Sequence, residues 1–172
     1  MYIYCVPANT EVMDRARKIE SMLAANKPVE SFTSVLSLSK LLTVKDAPSN
    51  VHELMLQYGA QYGRLDVMKL ATDNDAEAYE KAIGIAATCG HPSIIDYFAE
   101  VCQDYIRADM WDDLRIKAHD GLVTLIDGEP GELKMAGASA EKSDYEEIIS
   151  MAYLRIAQIN ERDAIETDDV DY

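Results

Sequence analysis

Ile83-Gly84-Ile85-Ala86-Ala87-Thr88-Cys89-Gly90-His91-Pro92-Ser93-Ile94-Ile95-Asp96-Tyr97-Phe98 is the stretch that decides how this chain folds. A small alanine lets two antiparallel helices approach closely. A glycine three residues later ends the first helix in the left-handed conformation that other residues resist. The apolar pair Ile94-Ile95 then belongs to a second helix facing a shared core.

Two further segments carry the same design. Leu56-Gln57-Tyr58-Gly59-Ala60-Gln61-Tyr62-Gly63 runs into Leu65, Val67, Met68 and Leu70, and Leu114-Arg115-Ile116-Lys117-Ala118-His119-Asp120-Gly121 runs into Leu125-Ile126. The alanines stand 27 and 31 residues apart (Ala60, Ala87, Ala118), and Ala152 follows after another 34, with Arg155 in the glycine's place. One such hairpin cannot bury its own apolar face, so units must stack. The predicted architecture is all-α.

Ile85-Ala86-Ala87-Thr88-Cys89-Gly90-His91-Pro92-Ser93-Ile94-Ile95 resembles the Leu-Ala-Ala-x-x-Gly-His-x-x-Ile/Val-Val core of ankyrin repeats, and Gly63-Arg64-Leu65-Asp66-Val67-Met68 is similar to that family's second-helix opening. The resemblance covers residues 50–127 and, more weakly, 144–160. It implies a solenoid of stacked helix-turn-helix units. The family's Thr-Pro-Leu-His tetrapeptide is replaced by Lys81-Ala82-Ile83-Gly84 and the Gly-Ala-Asp turn is missing. Short tight loops are therefore expected in place of long β-hairpin fingers.

Helix-start signals fit the units. Asn50-Val51-His52-Glu53, Asn74-Asp75-Ala76-Glu77 and Ser143-Asp144-Tyr145-Glu146 each place a short polar side chain three residues before a carboxylate. That spacing lets the two groups satisfy the unpaired amides of a first helical turn. Upstream, Val12, Ala16, Ile19 and Leu23 recur at helical spacing after a cap at Asn9 or Thr10, and Asn26-Lys27-Pro28 ends that helix. A second helical run covers Ser31–Leu42. Met1–Val6 has strand-like residues but too few for a sheet. Residues 1–49 are thus read as an N-terminal helical cap and 50–160 as the repeats. A Gly- and Pro-containing stretch at 128–143 reads as a long loop. The last segment, 161–172, sets six acidic residues against Arg162 and is expected to be a frayed acidic tail.

Composition bounds the function. With 172 residues, 48% of them hydrophobic, the chain can bury a core. Cys5, Cys89 and Cys102 are an odd number without zinc-ligand spacing, which fits a reduced interior rather than a disulfide framework. No apolar stretch approaches the roughly 20 residues that cross a bilayer, and no basic segment precedes Met1–Val6, so a cytoplasmic location is expected. Sixteen Lys and Arg face 31 Asp and Glu, a net charge of −15. Such a surface repels nucleic-acid phosphate and favours a basic partner, including a protein whose own ligand is nucleic acid.

Residues that carry chemistry are sparse. His52, His91 and His119 lack metal-ligand or nucleophile spacing, and His91 sits where the resemblance implies a structural histidine. Asp109, Asp112 and Asp113 flank Trp111, and on a helix they read as a solvated face rather than a cation site. No enzyme activity, cofactor or metal is expected.

Stacked repeats create an extended concave surface, so the expected role is a protein–protein interaction module. Tyrosine and tryptophan give large contact area at low entropic cost. The candidate contact residues are Tyr62, Arg64, Asp73, Asp75, Tyr105, Asp109, Trp111, Asp112 and Asp113. Arrays this degenerate resemble those of large viruses and bacteriophages, which implies an inhibitor or modulator of a host defence protein in the host cytoplasm. Two other classes stay open. One is an acidic nucleic-acid mimic that blocks a basic groove; the other is a self-associating assembly protein.

Overall fold

Ala16, Ile19 and Leu23 are buried together, so helix α1 (Thr10–Ala24) turns one apolar stripe inward. A computed structural model describes residues 10–35, 51–74, 76–101, 107–127 and 140–168. After α1 comes a 3-10 turn (Val29–Phe32) running on helically to Val35, with Phe32 and Val35 buried. There follow α2 (Val51–Gln61), α3 (Leu65–Thr72), α4 (Tyr79–Thr88), α5 (Pro92–Val101), α6 (Ala108–Asp127) and α7 (Lys142–Asp168). Every regular element among the described residues is helical. Met1–Val6, the cap at Asn9, the remainder of the Ser31–Leu42 run, Asn50, Asp75, Cys102, Tyr105 and most of the 128–143 loop lie outside them.

The helices pack in pairs: α2 with α3, α4 with α5, α6 with α7. The first members also pack in succession, α1 on α2, α2 on α4 and α4 on α6, while α5 touches α7. One apolar cluster runs through all of them, from Ile19 and Phe32 through Met55, Met68, Ile94 and Phe98 to Ile148. Full burial of such a side chain contributes roughly 1.5–3 kcal/mol. Ala60, Ala87 and Ala118 have no exposed surface, as close helix approach requires.

Three helix ends share one backbone motif. Two residues beyond α1, α2 and α4 stand Asn26 (φ 47°), Gly63 (φ 67°) and Gly90 (φ 70°), all left-handed. Each donates its amide to the carbonyl three residues back, and the next amide reaches five back: Lys27 to Met22 at 2.9 Å, Arg64 to Gly59 at 2.8 Å, His91 to Ala86 at 3.0 Å. This pairing satisfies carbonyls that a helix end leaves open.

Successive turns are tied together by side chains. Arg64 donates to Asn26 Oδ1 at 3.1 Å and to the Lys27 carbonyl at 2.9 Å. His91 donates Nε2–H to the Gln61 carbonyl at 3.1 Å, and the Tyr145 hydroxyl donates to the Thr88 carbonyl at 3.3 Å.

The third segment departs from the sequence reading. Ala118-His119-Asp120-Gly121 does not end a helix: α6 runs unbroken to Asp127, so Leu125 and Ile126 lie on the same helix as Ala118, and His119 is mid-helix and exposed. Gly121 instead supplies room. A Cβ there would strike the Thr88 carbonyl oxygen and the Tyr145 ring. The second helix of this pair is α7, which starts at Lys142 inside the expected loop.

Two start signals are also corrected. Asn74 closes α3, donating Nδ2–H to the Leu70 carbonyl at 2.8 Å, and α4 begins later, at Tyr79. At α7, Asp144 accepts the Glu141 amide at 2.6 Å, so the cap is Glu141 rather than Ser143. The predicted frayed tail is helical through Asp168, and residues 161–165 are exposed on it.

Candidate protein-binding surface

The α4 N-terminus is held from a distance. Its cap residue Ala78 has no side chain able to accept a hydrogen bond. Glu53 of α2 accepts the amides of Glu77 at 2.7 Å and Ala78 at 3.1 Å with its two carboxylate oxygens. A carboxylate at a helix N-terminus also meets the positive end of the dipole. The contact fixes where α4 starts, and with it the position of Glu80.

Between α4 and α6 lies a cleft of about 160 Å³. Ile83, Met110 and Leu114 line it with apolar surface, and Glu80, Asp109 and Asp113 line it with carboxylates. Asp109 pairs with Arg107 at 3.0 Å, Asp112 with Arg115 at 2.8 Å, and Asp113 with Lys117. All are exposed pairs on or just before α6, of the kind worth about 0–1 kcal/mol. The Arg115 guanidinium also lies over the Tyr153 ring, 5.4 Å from its centroid, which joins α6 to α7. Its hydrogen bond to Asp112 raises the Arg115 pKa.

The structure brings together Asp109, Asp112 and Asp113 of the predicted contact residues and separates the rest. Trp111 is 2% exposed and belongs to the core, so it offers almost no surface to a partner. Tyr62 is buried beside the α2 turn, and burial, with Glu20 and Tyr58 adding to it, pushes its phenol pKa up. Arg64 is spent internally, on the α1 turn, on Asp66 at 2.7 Å and against the Phe32 ring. Its hydrogen bond holds the Asp66 carboxyl below the usual range. Asp73 is exposed at the end of α3. Asp75 and Tyr105 lie outside the described residues.

Glu80, Ile83, Met110 and Leu114 complete the cleft and escape a reading along the chain, because two units contribute to it. One signal was available: Glu80 stands near the start of its first helix, as Asp109 and Asp113 do in theirs.

His91 is half-buried between the α2 and α4 turns. Desolvation lowers its pKa, outweighing the Gln61 hydrogen bond and the Asp144 charge. Burial likewise pushes the Cys89 thiol up to about 11, which leaves it protonated and unreactive at neutral pH. Among the described residues no group of three or more His, Cys, Asp or Glu could hold a metal ion. No described helix is long and apolar enough to cross a membrane. Comparison with family models, with curated proteins and with solved structures finds no match to this chain.

Proposed function

We propose that this chain is a protein-binding module built as an ankyrin-like solenoid, whose partner seats on the acidic cleft between α4 and α6. The observation that carries the reading is the succession of first helices, α1 on α2 on α4 on α6, with a cleft between two of them that offers both apolar and anionic contact. Stacked hairpins generate extended binding surfaces of this kind. Apolar contact supplies affinity, and the carboxylates select a basic segment.

A nucleic-acid mimic is supported less well. The cleft's carboxylates stand beside Ile83, Met110 and Leu114, apolar surface that a row of phosphates does not present.

The test is capture of proteins from the native cell on the immobilised chain, beside an Asp109→Asn/Asp113→Asn double variant. The reading expects a basic partner held by the wild type, lost by the variant and retained when duplex DNA is added in excess. Displacement of the partner by DNA would favour mimicry. Equal retention by wild type and variant would remove the cleft as the binding surface.

A further inference from the structure

Helix α6 turns Trp111, Leu114, Ala118 and Gly121 inward. At about 100° per residue, Ile116, His119, Asp120, Val123, Ile126 and Asp127 share the opposite side with Asp109 and Asp112 near its start, and all are exposed. Three of them are large and apolar: Ile116 is 46% exposed, Val123 43% and Ile126 62%.

The neighbours of α6 show where this stripe points. Helix α4 takes the flank that bears Met110, Asp113 and Leu114, and α7 meets the flank that bears Arg115. The stripe is turned away from α4. A continuing row would place its next first helix there, since α2 is covered by α4 and α4 by α6 in that manner. The stripe keeps apolar residues one and two turns apart.

Charge selects among occupants. Asp120 and Asp127 lie within the stripe and make no ion pair among the described residues. A second copy of a chain with net charge −15 would bring like carboxylates together. A basic helix would not.

We infer that this face of α6 is a second docking surface, filled by an amphipathic helix of a basic partner protein. Its apolar side chains, spaced three and four residues apart, seat on Ile116, Val123 and Ile126, with Lys or Arg facing Asp120 and Asp127. The inference rests on the reading of the chain as a protein-binding module and assigns it a surface distinct from the cleft.

The experiment uses a fluorescent leucine–lysine peptide about five turns long, its leucines at helical spacing, against a scrambled peptide of identical composition. Anisotropy should show the ordered peptide binding at least about tenfold tighter. Ile116→Ser/Val123→Ser should reduce it to the scrambled level while far-ultraviolet circular dichroism stays that of the folded wild type. Asp120→Asn/Asp127→Asn should weaken binding more than the equal charge change Glu80→Gln/Asp113→Asn at the cleft.

Equal binding of the two peptides would overturn the inference. So would ordered binding that is lost only in the Glu80/Asp113 variant, an outcome that leaves the module reading standing with the cleft as its seat. Sedimentation showing a dimer that Ile116→Ser/Val123→Ser dissociates would also overturn it, by making a second copy the occupant. If no peptide binds and native capture is indifferent to both variant pairs, the module reading falls as well.

Discussion

Glycine does two different jobs in this chain. At Gly90 the backbone is left-handed, and a Cβ would lie 2.7 Å from Ala140 Cβ and 2.8 Å from the Tyr145 ring. A left-handed alanine costs roughly 1 kcal/mol or more, and relieving the crowding adds to it. Gly90→Ala should therefore destabilise by about 2 kcal/mol, read by denaturant titration. Gly121→Ala has no left-handed cost but meets the Thr88 backbone, which cannot rotate aside; α4 and α6 must separate, at about 2–3 kcal/mol. An unchanged midpoint for Gly121→Ala would mean the helices are not that close. The sequence makes Gly63 and Gly90 legible as helix stops. It does not distinguish them from Gly121, because a glycine that ends a helix and one that admits a neighbour look alike along the chain. Asn26, read with Lys27 and Pro28 as a helix stop, is one; its left-handed φ goes unread because asparagine serves caps and turns as readily as that position.

His91 supplies a pH signature at the same scale. Its folded pKa lies below the ordinary histidine value, so the unfolded chain takes up the proton first as pH falls. The stability it contributes is complete above about pH 6.5 and is lost as pH drops through the folded value. His91→Gln should flatten the stability profile between neutral pH and about pH 5 relative to wild type. Identical slopes for the two proteins would show that the ring is not desolvated between the turns.

Elements begin and end here through contacts that cross between units. Glu53 reads locally as the third residue of its own helix, with Asn50 as cap, while Asn74 reads as the cap of α4. In the fold Glu53 serves the amides of Glu77 and Ala78, 24 and 25 residues away. Periodicity finds the helices α2 to α5 because apolar spacing is a local property. It cannot find a cap delivered from a neighbouring helix, nor a cleft that α4 and α6 build jointly. Glu53→Ala should cost about 1 kcal/mol, the usual worth of an N-terminal cap. Hydrogen exchange should accelerate at Glu77, Ala78 and the first turn of α4 while the centre of α2 stays protected. Protection lost uniformly across the chain would mean the carboxylate is not a local cap.

At the scale of the whole molecule, the balance of 16 basic against 31 acidic residues loads a compact fold with like charge. Self-repulsion opposes compactness, and salt screens it over a Debye length of about 10 Å at 0.1 M. The melting temperature should rise as sodium chloride is added from low ionic strength. A fall would mean that the ion pairs of α6 outweigh the general repulsion. Net charge was plain in composition, but its placement was not: three carboxylates on α6 are paired, and the apolar face beside them appears only once α4 and α7 are set in place.

The central claim is that successive helix pairs stack so that each turn leans on the one before. The most direct measurement is nuclear Overhauser contact in the native protein, between the His91 ring and the Gly63 α-protons and between the Tyr145 ring and the Gly90 α-protons. A Cβ at Gly63 would sit 2.8 Å from a His91 ring carbon, so both cross-peaks should be strong. Well-resolved spectra in which His91 shows contacts within its own pair of helices and none to Gly63 would contradict the stacked arrangement.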